Sequence, residues 1–405
     1  MPAHIKIAAA AAMSCIVIGA PPAHAAGPGC GAVVAKSTTL QRNLTNCPGD
    51  GLVIGADNLT LDLGGHTIDG TAAPATAGIR LAGHHGVRVQ RGSLQEFGNG
   101  VLLDAADGNA LLRVTVRRSF GRGIQLQNGS HGNRLEFDVS SDNGSSGFGL
   151  IASDRNVVTH ATGTGNAFSG LQGFGASGNR VVGGTFRDNK TGIGLNEGSN
   201  GNLVTGNVLS DNTEPAVGLD GNDNVITGNR SDHDGWGISF SGDRNRIVAN
   251  VVSNTLGCSD GDCGSGIDNS GGANNLVTLN AVTGAVDQGI RFLEFEADGG
   301  PPVIGNVIRG NIVRDAGSDG IELQSRINEV TGHGTLKDNL VAGNLVTGSG
   351  HDGINVGRPA NTVSGNVTLR NDVLGIEAVP GVIDGGGNLA FGNGDPRQCL
   401  RVACH

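Results

Sequence analysis

GNLVTGNVLSDNTEPAVGLDG (residues 201–221) is written again and again on either side of itself. It returns as DNVITGN from Asp223, NRIVAN from Asn245, NVIRGN from Asn306, DNLVAGN from Asp338 and NTVSGN from Asn361. Three columns define the repeat. An asparagine opens it at Asn133, Asn156, Asn179, Asn202, Asn224, Asn245, Asn275, Asn306, Asn339, Asn361 and Asn388. A second asparagine follows five residues on, at Asn207, Asn229, Asn250, Asn280, Asn311, Asn344, Asn366 and Asn393. Further along comes glycine plus an apolar residue, as in Gly170-Leu171, Gly289-Ile290, Gly320-Ile321 and Gly353-Ile354.

A period of roughly 22–24 residues signals a solenoid, in which each unit buries its apolar side only against its neighbours. The segments between punctuators are short, β-branched and alternating, so they read as strands, with neither the length nor the period of helices. Three strands per turn with Asn and Gly at the corners describe an all-β, single-domain parallel β-helix of about 13 coils. Asparagine suits a corner because it tolerates the left-handed region and its amide can bond the equivalent amide one coil away. A leucine-rich repeat would need a leucine spacing and a helical half that are absent.

The chain opens with a charged stretch ending at Lys6, an apolar run from Ile7 to Ala20, and the small-x-small signal Ala23-His24-Ala25. This predicts a signal peptide over residues 1–25 and a secreted or periplasmic protein, since the apolar run is too short to span a bilayer. Seven cysteines less Cys15 leave six, in three sequence-local pairs: Cys30 and Cys47, Cys258 and Cys263, Cys399 and Cys404. An even count in an exported chain reads as disulfides, with the outer pairs pinning caps at 26–56 and 394–405 around a helix at 57–393. Net charge is −10, and cleavage would remove Lys6 and no acid, giving −11. Such a chain, with lysines left only at positions 36, 190 and 337, is a poor nucleic-acid binder, and no later stretch predicts membrane insertion. A monomer is expected.

Insertions are nearly absent until residue 256, then arrive in consecutive coils at 256–265, 292–303 and 325–337. Loops on a rigid scaffold are where binding residues concentrate, although solenoid loops also drift cheaply in length. Side chains alternate along a strand, so if the Ile after each Gly points inward the next residue points out. That gives an outward column of Ser239, Asp268, Arg291, Glu322, Asn355 and Glu377, beside a pre-glycine column of Trp236, Ser265, Gln288, Asp319 and Asp352. Asp287, His351 and Asp234 flank them.

Carboxylates packed this closely cannot all ionise cheaply, and paired carboxylates across a sugar are what glycoside hydrolysis requires. The expectation is therefore that Asp319, Glu322 and Asp352 supply acid, base or nucleophile. Trp236, Asp268, Asp287, Arg291, His351 and Asn355 would bind a polysaccharide, Arg291 through its fork and Trp236 by stacking. The competing reading is structural. Asp before Gly is ordinary turn chemistry, Asp234 sits in a third asparagine column with Asn143, Asn166, Asn189 and Asn212, and Arg291 with Glu322 can be a mere ion pair. No metal ligands are assigned; calcium is the cation that Asp260, Asp262 and Asp268 could take, although Asp-Gly-Asp alone is a weak signal.

The repeat from Asn133 to Asn393, with CPGDGLVIGADNLTLDLGGHTIDG (47–70) and QCLRVAC (398–404), resembles the right-handed parallel β-helix superfamily, particularly its NosD-like and pectate-lyase-like branches. The resemblance implies a right-handed coil and a family rich in polysaccharide lyases, hydrolases and epimerases. Catalytic signatures of those enzymes do not carry over: Asp395-Pro396-Arg397 is the lone Asp-Pro, and Gly350-His351-Asp352-Gly353 matches only a fragment of the polygalacturonase pattern. A hydrolase is the first expectation, a lyase the second. The alternative is a non-catalytic carbohydrate-binding, adhesive or structural β-helix.

Overall fold

A computed structural model describes Met1 and residues 27–257, 263–294, 301–325 and 336–405. Apart from Met1, the expected signal peptide lies outside the described residues, as do Cys258 and most of the three insertions. Among the described residues the chain is all strand and turn. One sheet of sixteen parallel strands runs the length of the molecule, from Ala32–Val34 to Cys399–Leu400. Two further stacks complete each coil, exemplified by Leu203–Thr205 and Val208–Ser210, and both advance one strand per turn in parallel register.

The sequence dictates this arrangement position by position. Along the long sheet the register runs Phe148, Leu171, Ile193, Val217, Ile238, Ile267, Ile290, Ile321, Ile354, Ile376. Every one of these is at most 1% exposed. A fully buried side chain of this size contributes about 1.5–3 kcal/mol, so the file is a large part of what holds the coils together. Glycine precedes all of these but Val217, which follows Ala216, and it has a steric cause. A Cβ on Gly320 would lie 2.6 Å from the carbonyl oxygen of Gly353 and collide with Val346.

Asparagine ladders fix the corners. The backbone N–H and Nδ2 of Asn306 both donate to Oδ1 of Asn339, while Nδ2 also reaches the Gly272 carbonyl. Asn311 repeats the pattern with Asn344 and Val277. The bonds from a backbone N–H or to a backbone carbonyl each satisfy a buried group that would otherwise cost about 1–3 kcal/mol.

The long sheet has thirteen strands between 57 and 393, in keeping with the expected number of coils, and the stretches expected as caps add Ala32–Val34, Leu52–Ile54 and Cys399–Leu400 to make sixteen. One expectation is corrected. Asn388 and Asn393 each belong one column later than their spacing suggested. Asn366 donates to Asn388 and Asn371 to Asn393, because Ile383–Asp384 already occupies the stack that follows the first corner. Disulfides Cys30–Cys47 and Cys399–Cys404 close the two ends, with Cα atoms 5.3 and 6.2 Å apart. Cys263 is also disulfide-bonded.

Candidate functional site

The outward column forms as the alternation requires. Ser239 pairs with Asp268, Asp268 with Arg291, Arg291 with Glu322, Glu322 with Asn355, and Asn355 with Glu377. Backbone bonds also stack the pre-glycine column, since Gly289 N–H donates to the Asp319 carbonyl and Gly320 N–H to that of Asp352. Asp287, Ser318 and His351 line up beside it on successive coils. Adjacent members lie on strands about 4.8 Å apart.

The strip divides in two by solvent access. Asp268 and Arg291 are each 5% exposed and Glu322 8%, although all three point away from the core. Arg291 Nε donates to Asp268 Oδ1 at 2.6 Å. Asp268, Asp287 and Glu322 all favour its charged form, which lifts the guanidinium's affinity for its proton against the opposing effect of burial. The other part is open: His351 has half its side chain in solvent, and Asn355 and Glu377 are half-buried.

At the open end three side chains converge. Asp319 Oδ1 lies 2.8 Å from His351 Nδ1 and also accepts the Asp352 backbone N–H at 2.8 Å. Its Oδ2 accepts from Asn355 Nδ2 at 3.0 Å. Asp352 Oδ1 accepts the Leu374 N–H at 2.7 Å. Its Oδ2, 3.4 Å from His351 Nδ1, is buried with no hydrogen-bond partner. The hydrogen bond from Asp319, with the charges of Asp352 and Glu377, raises the affinity of His351 for a proton. Contact with Asp352 and partial burial push the Glu377 carboxyl up as well.

Asp319, Glu322, Asp352, Arg291, His351, Asn355, Asp268 and Asp287 thus share one face over four successive coils. The burial of Asp319 and Asp352 (4% and 0% exposed) was not visible from spacing. Trp236 stands in the same column as Asp319 but three strands away, or about 14 Å, beside Pro215. Asp234 terminates the third amide ladder, its Oδ1 accepting from Asn212 and its Oδ2 from Ser231. Glu377 was in the column but not singled out; its place after Gly375-Ile376 was the available signal. Asp260 and Asp262 lie outside the described residues.

Fold and columns define a right-handed parallel β-helix protein with a charged C-terminal half. Residues 49–222 match the family model described as NosD, periplasmic copper-binding protein. No curated protein matches the chain. Among solved structures it is similar to the Azotobacter vinelandii mannuronan C-5 epimerase AlgE6 A-module, with a TM-score of 0.58 at 15% identity over 83% of this chain and 90% of that one. The AlgE4 A-module gives a TM-score of 0.51 at 15% identity over 83% and 91%. A Streptomyces thermodiastaticus GH87 α-1,3-glucanase gives 0.45 at 15% identity over 87% and 64%.

The span matched to NosD stops short of the charged strip. Within it, no three His, Cys, Asp or Glu side chains gather as metal ligands; among the described residues that grouping occurs at Asp319, His351 and Asp352. That set offers no sulfur, so it does not fit cuprous copper.

Proposed function

We propose that the chain is an exported or periplasmic carbohydrate-active enzyme that processes a polysaccharide laid across the open end of the strip. The observation that carries this reading is the convergence of ionisable groups on one face of the coils from Ile267–Asn269 to Ile376–Ala378, on an otherwise repetitive scaffold. Glycoside hydrolysis remains the preferred reaction, with lyase action second. Burial redistributes the roles. His351 and Glu377 are the groups in reach of a sugar, Asn355 binds, and Asp319 and Asp352 position His351 and the local backbone.

The test is to incubate the purified protein with acidic and neutral polysaccharides and analyse products by reducing-end release and ultraviolet absorbance. New reducing ends without an unsaturated chromophore support hydrolysis. Products absorbing as unsaturated uronates replace it with elimination. Neither product, with binding retained, leaves a non-catalytic carbohydrate-binding β-helix. One observation favours that second reading: Asp319 and Asp352 each accept a backbone N–H from the following coil, a coil-to-coil bond like those of the ladder asparagines but running the other way, since those accept from the preceding coil.

A further inference from the structure

We propose that Asp319, His351 and Asp352 hold a divalent transition-metal cation of the zinc type. Four observations converge on this site. The three side chains each offer a ligand atom, and these atoms lie within 4.8 Å of one another. His351 Nδ1 is 2.8 Å from Asp319 Oδ1 and 3.4 Å from Asp352 Oδ2. Ligands of a tetrahedral zinc ion sit about 3.3 Å apart, so the donors need only small shifts to enclose one.

Asp352 supplies the independent observation. Its side chain is wholly buried, one carboxylate oxygen takes the Leu374 N–H, and the other, 3.4 Å from His351 Nδ1, has no N–H or hydroxyl donor, while the Glu377 carboxyl contacts the same side chain. A buried carboxylate oxygen is normally paired or coordinates a metal. Charge points the same way. Asp319 and Asp352 bring two carboxylates against one imidazole, and the adjoining Glu377, in direct contact with Asp352, has Arg401 as a counter-charge. A divalent ion balances two carboxylates and leaves the imidazole neutral, the form in which it coordinates. The exposed side of His351 gives the ion a way in. One nitrogen with carboxylate oxygens suits zinc or manganese better than calcium, which gathers six to eight oxygens.

The site stands whether or not a polysaccharide is the substrate, and its test needs no substrate. The full chain is dialysed against chelator and titrated calorimetrically with zinc chloride, and in separate runs with manganese and calcium chloride. Expected is one zinc per chain and a melting midpoint that rises with zinc. His351→Ala and Asp352→Asn should each weaken binding at least tenfold. His351 is exposed enough to be truncated safely, and the Asn variant retains an oxygen for the Leu374 N–H. Near-UV spectra of both variants check that they fold. Absence of zinc binding, or unchanged binding in both folded variants, overturns the proposal and leaves a proton shared between Asp352 and Glu377. Tighter binding of calcium than of zinc overturns the transition-metal assignment.

Discussion

The outer face of the long sheet is two surfaces on one scaffold. Over its middle coils the outward residues are Gly149, Gln172, Gly194, Gly218 and Ser239; over the next five they are Asp268, Arg291, Glu322, Asn355 and Glu377. The inward residues one position earlier are buried and apolar throughout. One set of side chains therefore specifies the coil and the alternate set is free to carry chemistry. The third corner divides at nearly the same place. Its amide ladder runs from Asn143 to Asp234, gives way to Thr255, Ala285, Ala316 and Ser349, and resumes at Asn371 and Asn393. The gap coincides with the insertions and with the convergence of Asp319, His351 and Asp352.

The sharpest way to break this comparison is to mutate both sets. Glu377→Gln should lower turnover on the identified polysaccharide by about 100-fold or more, in the range of a lost proton-transfer group, with the melting midpoint nearly unchanged. Gly218→Ser, on the neutral surface, should leave turnover alone. If Glu377→Gln also collapses the fold, the two sets are not separable.

Next in size is a ladder asparagine. Asn280→Ala strips bonds to the Ile247 carbonyl and to Asn311, and removes the oxygen that serves Asn250. The expected loss is roughly 2–4 kcal/mol in urea unfolding.

A pH effect of similar or smaller size should arise far from the site. Asp138 occupies the second corner column, where burial raises its carboxyl to about 7 against the backbone hydrogen bonds of Val114 and Glu136. Its other oxygen has no partner, whereas at the equivalent position Asn207 Nδ2 donates to the Val181 carbonyl. The folded chain thus keeps a proton that the unfolded chain releases near pH 4, so stability falls as pH rises from about 4 to about 7. Asp138→Asn should abolish that fall, raising stability at pH 8 by on the order of 1–4 kcal/mol and changing little at pH 4. Thermal melts across pH decide it.

The smallest expectation concerns exposed ion pairs. Arg244→Ala breaks a two-pronged contact to Asp223 with both partners half in solvent. The melting midpoint should not move measurably, and any dependence on salt should be slight.

Most of the fold was legible because a solenoid writes its contacts as periodicity. Asn306 and Asn339 are 33 residues apart yet bonded, and equal place in the repeat was enough to pair them. The outward column followed from strand alternation alone. Asn388 and Asn393 misled because Val382, not an asparagine, holds the first corner of that coil, although the spacing of 22 from Asn366 to Asn388 was there to use. Burial was not legible: whether Asp319 lies open or covered depends on what packs over the strip, and a column position carries no such information. The unpaired oxygen of Asp352 escaped for the same reason, since it is a statement about three neighbouring coils at once.

The in-register stacking has one more consequence. Residues 180–202 form a complete turn from one ladder asparagine to the next, touching only the turns above and below. Cutting them out would splice Asn179 to Leu203 in phase and shorten the rod by about 4.8 Å. Length is thus an adjustable dimension of this molecule, one that selection can change without disturbing the working end.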